Sequence, residues 1–87
     1  MPEKWKLIIL RPARNYLQRL PGKEANRILN SLAEIEKDPE AAPIKPLKGR
    51  EEWSYRVGRR RILMHILFEE QKIIITRIGS RGDIYRK

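Results

Sequence analysis

The run Lys48-Gly49-Arg50-Glu51-Glu52-Trp53-Ser54-Tyr55-Arg56-Val57-Gly58-Arg59-Arg60-Arg61 passes directly into Ile62-Leu63-Met64-His65-Ile66-Leu67-Phe68, and this junction decides the architecture. Trp53, Tyr55 and Val57 alternate with Glu52, Ser54 and Arg56, which is the period of a strand with one buried face. Beyond the Val57-Gly58 corner, Ile62, Met64, Ile66 and Phe68 form an apolar row, with Arg61, Leu63, His65 and Leu67 on the other side. The two strands read as a hairpin, and their parity places Arg56 and Arg61 on one sheet face. Six basic residues lie between Lys48 and Arg61, so the hairpin carries a guanidinium cluster suited to phosphate.

Toward the C-terminus, Glu69-Glu70-Gln71-Lys72 is a polar turn, and Ile73 to Ile78 is a strand apolar on both faces, hence interior to the sheet. Gly79-Ser80-Arg81-Gly82-Asp83 then breaks the ladder, and the glycines on either side of Arg81 permit a turn that aims it back across the sheet. Ile84-Tyr85-Arg86-Lys87 follows as a short tail. Toward the N-terminus, Pro39 to Pro46 holds three prolines and reads as an extended connector. Ala25, Ile28, Leu29, Leu32 and Ile35 make the stripe of a helix closing at Asp38-Pro39. A shorter helix before it starts at Pro12, with Ala13, Tyr16, Leu17 and Leu20 at i, i+3, i+4 and i+7, and Pro21-Gly22 separates the two. Lys4 to Leu10 is a strand covered on both faces. The expected fold is α+β: an N-terminal strand, an antiparallel helical hairpin, then three further strands of a mostly antiparallel sheet, whose helix-free face carries the arginines.

With 87 residues the chain is one domain, residues 1–87, near the lower end of what buries a self-sufficient core. It has no cysteine and one histidine, which excludes disulfides and thiolate metal sites, and no metal or cofactor is expected. Trp5 to Leu10 is too short for a membrane span and lacks the features of a signal peptide, so a cytoplasmic protein without membrane attachment is expected. The net charge is +9 and is unevenly placed: residues 1–44 hold eight Lys and Arg against six Asp and Glu, residues 45–87 twelve against five. Such a basic half implies a polyanionic partner, nucleic acid first.

There is no paired-carboxylate site, Ser-His-Asp arrangement, metal cluster or P-loop. His65, within an apolar strand, reads as a packed histidine, and Glu51-Glu52 and Glu69-Glu70 as surface charge. What remains is Arg56, Arg61, Arg81 and Tyr85 on one face, surrounded by Lys45, Lys48, Arg50, Arg59, Arg60 and Arg86 as further RNA-binding positions. Guanidinium groups hold phosphate oxygens and stabilise charge building at phosphorus, while tyrosine stacks on a base or transfers a proton. Such a set acts without a metal when the nucleophile is the 2′-hydroxyl of RNA. The competing reading is a sheet whose arginines only hold phosphates.

In order and spacing, the Leu20-Pro21-Gly22 break, Leu47-Lys48-Gly49, Tyr55-Arg56-Val57-Gly58, Arg61-Ile62-Leu63 and the ending Ile78-Gly79-Ser80-Arg81-Gly82-Asp83-Ile84-Tyr85 resemble the RelE/ParE superfamily of toxins from toxin-antitoxin pairs, over nearly the whole chain. The resemblance implies the RelE-like fold and, for RelE-like members, ribosome-dependent cleavage of messenger RNA in the A site. It carries the transition-state arginine onto Arg61, the arginine after the last long strand onto Arg81, the C-terminal tyrosine onto Tyr85 and the first basic position onto Arg56. A second family lysine has no equivalent, because Gly58 stands there. Arginine is not deprotonated in proteins, so Arg56 supplies charge only and Tyr85 is the better proton-transfer candidate, with Arg59 or Arg60 replacing the missing charge. The ParE branch, which poisons DNA gyrase, and a non-catalytic RNA-binding member are the alternatives. The resemblance also implies a RelB-like antitoxin partner in a hetero-oligomer, with the ribosome and messenger RNA as targets.

Overall fold

Lys6–Ile9 (β1) opens the fold in the computed structural model, which describes residues 5–46 and 52–80. It is followed by Arg11–Arg19 (α1), Gly22–Lys37 (α2), Lys45–Pro46 (β2), Trp53–Val57 (β3), Arg60–Leu67 (β4) and Lys72–Ser80 (β5). The strands form one sheet in the order β1-β5-β4-β3-β2, with β1 parallel to β5 and every other pairing antiparallel. The expected α+β arrangement of strand, helical hairpin and antiparallel strands is what the chain adopts. Among the described residues no helix is long and apolar enough to cross a membrane.

Both helices lie on one face of the sheet, and the core between the layers is built from strand and helix periodicities. Ala13 and Leu17 from α1 and Ile28, Leu32 and Ile35 from α2 meet Ile62, Met64 and Ile66 from β4 and Ile73, Ile75 and Ile78 from β5. Pro12 sits in the first turn of α1, where a missing N–H costs nothing, and Leu20-Pro21 is the whole connection to α2.

Four local expectations are corrected. β1 is covered on one face only: Leu7 and Ile9 pack on the core, while Ile8 and Leu10 are exposed because the helices lie on a single side. Leu29 is also exposed, as the buried stripe of α2 follows Ile28, Leu32 and Ile35 and leaves it on the flank. The connector ends in a short fifth strand, where Lys45 pairs with Ser54 and Pro46 with Trp53. Proline is tolerated there because β2 is an edge strand. Finally, the ladder does not break at Gly79, since Gly79 pairs with Arg61 and Ser80 with Arg60.

That longer ladder depends on a bulge. Leu63 pairs with Arg77 but Met64 with Ile75, so Thr76 is an extra residue in β5. Its hydroxyl hydrogen is shared between the Leu63 carbonyl at 3.1 Å and a Glu52 carboxylate oxygen at 3.2 Å. One inserted residue reverses side-chain parity. Ile73 and Ile75 before it and Ile78 after it therefore all reach the core, and Gly79 comes opposite Arg61.

Candidate nucleic-acid interface

The site begins with the hairpin loop. Val57 pairs with Arg60, leaving Gly58 and Arg59 as a two-residue connection. Gly58 has φ 61° while Arg59 does not take positive φ, the distribution of a type II′ turn with glycine first. A lysine at position 58 would meet the steric cost of a left-handed backbone, so the departure from the RelE-like pattern has a conformational reason.

The loop sets the register in which Arg56 and Arg61 are direct cross-strand partners. They project from the helix-free face, as parity indicates. Lys45 joins them from β2, paired with Ser54 beside Arg56. Pro43, Lys45, Ser54, Tyr55, Arg56 and Arg61 line an open groove of about 390 Å³. Arg56 is exposed and Arg61 half-buried. Gly79, opposite Arg61 on β5, contributes no side chain to crowd it. Like charges directly opposed across two strands destabilise a sheet, and a bound phosphate relieves that repulsion.

Arg60 goes to the other side. It shares the parity of Ile62 and Met64, and its guanidinium donates to the Tyr16 hydroxyl at 3.0 Å, lies 6.0 Å from the centre of the Tyr16 ring and pairs with Glu24. The hydrogen bond to Tyr16 is the main influence on this guanidinium, raising its pKa above the ordinary arginine value against the opposing effect of burial, with Glu24 adding to the rise. Arg60 therefore ties the start of β4 to both helices and stands apart from Arg56 and Arg61. The apolar row already contained this placement, because Arg60 is two residues before Ile62.

Arg59 is exposed at the tip of the hairpin. Lys48, Arg50, Arg81, Tyr85 and Arg86 lie outside the described residues, so Arg56, Arg61 and Lys45 are the members of the expected set that the structure brings together. His65 is half-buried on the helix-free face opposite Ile74. Sequence reasoning overlooked Arg27, an α2 residue that reaches the turn at Gly58. No sequence pattern links two positions so far apart in the chain. Among the described residues no group of acidic, histidine or cysteine side chains is placed to hold a metal ion.

A family model described as the ParE toxin of type II toxin-antitoxin systems, parDE, matches residues 7–85. No curated protein sequence matches. Among solved structures, the chain is similar to one in the toxin-antitoxin complex RelBE2 of Mycobacterium tuberculosis, with a TM-score of 0.78 and 24% identity over 92% of this chain and 94% of that one. A chain of the archaeal RelE-RelB complex from Pyrococcus horikoshii gives 0.76 and 22% over 91% and 97%. The isolated RelE toxin of E. coli gives 0.74 and 16% over 93% and 90%.

Proposed function

We propose that this chain, which belongs to the family of ParE toxins of type II toxin-antitoxin systems, acts by metal-independent cleavage of messenger RNA in the ribosomal A site. The observation that carries this reading is the cross-strand Arg56–Arg61 pair opening, with Lys45, into one groove on the helix-free face. In the reaction the 2′-oxygen of the substrate ribose bonds to the adjacent phosphorus as the P–O5′ bond breaks. The 2′-hydroxyl proton leaves to a base, the 5′-oxygen gains a proton, and the products are a 2′,3′-cyclic phosphate and a 5′-hydroxyl. Arg61 neutralises charge on the phosphoryl oxygens, Arg56 and Lys45 hold the strand, and Arg81 and Tyr85, by resemblance, complete the charge and supply the proton transfer.

A programmed ribosome with an empty A site, incubated with the antitoxin-free protein, tests this. Codon-phased cuts ending in a cyclic phosphate are expected, reduced at least about a hundredfold by Arg61→Ala, the scale of losing a preorganised charge stabiliser. An intact messenger after incubation with folded wild type would overturn it.

The second reading is inhibition of DNA gyrase. The ParE description of the matching family favours it. Under this reading, added protein blocks gyrase supercoiling of a relaxed plasmid and leaves ribosome-bound messenger intact. In either case the partner is an antitoxin, as in the complexes of the similar M. tuberculosis and P. horikoshii chains.

A further inference from the structure

The β3–β4 hairpin has a second charged side. Behind its tip, Glu24, Arg27 and Ile28 of α2 face Val57, Gly58, Arg59 and Arg60 across a groove of about 290 Å³. Its charges are not balanced. Glu24 is taken by Arg60. Arg27 and Arg59 are exposed and make no ion pair among the described residues. The Arg27 guanidinium lies across the turn, its nitrogens 3.6 and 3.7 Å from the point where a β-carbon on residue 58 would stand. Glycine is needed here for the positive φ, since a β-carbon would meet the Arg27 guanidinium only at ordinary contact distance.

The rear and front grooves share no lining residue and lie on opposite sides of the thin end of the hairpin. Arg56–Arg61 and Val57–Arg60 are successive pairs of the ladder, with side chains on opposite faces, and only Gly58 and Arg59 lie beyond them. A flexible polyanion held in front can turn round this tip, meeting Arg59 on the way. We propose that Arg27 and Arg59 form a second phosphate-contact site for single-stranded RNA, engaging the backbone that flanks the phosphate held at Arg56 and Arg61. This rests on the RNA reading of the front groove. Exposed guanidinium groups with no base-reading partner beside them make it a contact that positions the strand and is indifferent to sequence.

The test is the salt dependence of binding to a twelve-nucleotide, uniformly 2′-O-methylated RNA, which cannot be cleaved. It uses fluorescence anisotropy with the antitoxin-free wild type and the Arg27→Gln, Arg59→Gln and Arg59→Lys variants. Neutralising one phosphate contact lowers the slope of log affinity against log salt by about 0.7 for a single strand. Arg27→Gln and Arg59→Gln should each show that loss and weaken binding severalfold on any sequence, and Arg59→Lys should restore it. A trinucleotide that fills only the front groove should bind all four proteins alike. Unchanged slopes in both glutamine variants, with Arg56→Gln still lowering the slope, would overturn the rear site and leave the front reading standing. Unchanged slopes together with weakened antitoxin binding would reassign the rear groove to the antitoxin. Wild type without affinity for RNA would remove both readings at once.

Discussion

Arg56 and Arg60 are the same residue type four positions apart, yet their surroundings give them opposite energetic signs. Arg60 has an acceptor, an aromatic ring and a carboxylate, all from the helices. Arg56 stands exposed opposite another arginine. In urea unfolding, Arg60→Gln is therefore expected to cost roughly 1–2 kcal/mol, most of it from the Tyr16 hydrogen bond, since the partly exposed Glu24 pair is screened. Arg56→Thr should instead gain about 0.5 kcal/mol, by removing a like-charge cross-strand pair in favour of a β-branched residue, while weakening RNA binding. Equal losses of stability in the two variants would contradict this division. The raised pKa of Arg60 adds no pH dependence near neutrality. A group raised on folding stabilises fully below its unfolded value and loses that contribution only as pH climbs through the folded one, which for arginine is far into the alkaline range.

At the scale of elements, β5 does two jobs that a regular strand cannot combine. Before Thr76 its odd-numbered residues reach the core, and after it the even-numbered Ile78 does. In a regular strand of the same sequence Arg77 would enter the core and Ile78 would leave it. Replacing Thr76 with valine keeps the shape but removes the hydrogen bonds its hydroxyl donates to Leu63 and Glu52. A loss of about 1–2 kcal/mol is expected in urea unfolding, and a loss below the error of the measurement would show that the bulge holds without the hydroxyl. Helix and hairpin identities were legible in the sequence because each rests on a local period: Ile28, Leu32 and Ile35 for α2, and Ile62, Met64 and Ile66 for β4. The bulge was not legible, because a continuous run from Ile73 to Ile78 is compatible with either parity.

Across the whole molecule, the N-terminal strand pairs with β5, so the basic second half is built on elements from both ends of the described chain. Helices cover one face, and Arg56, Arg61 and Lys45 stand on the other. The net charge of +9 attracts acidic partners over a distance set by ionic strength. Affinity for the antitoxin is accordingly expected to fall as salt rises, mostly through slower association, as surface plasmon resonance at several salt concentrations would show. An association rate indifferent to salt would remove the long-range electrostatic contribution.

By itself the sequence determined the layer architecture, the glycine corner and the shared face of Arg56 and Arg61, because periodicity, turn chemistry and strand parity act over a few neighbouring residues. Arg60 was expected among the RNA-binding positions, and the folded chain turned it to the helix side with Tyr16 and Glu24 as its partners. Tertiary structure alone decided that β1 is an edge with one bare face, that Thr76 resets the last strand, and that Arg27 meets the hairpin turn. Each depends on residues distant in the chain being packed together, and no local pattern encodes that neighbourhood.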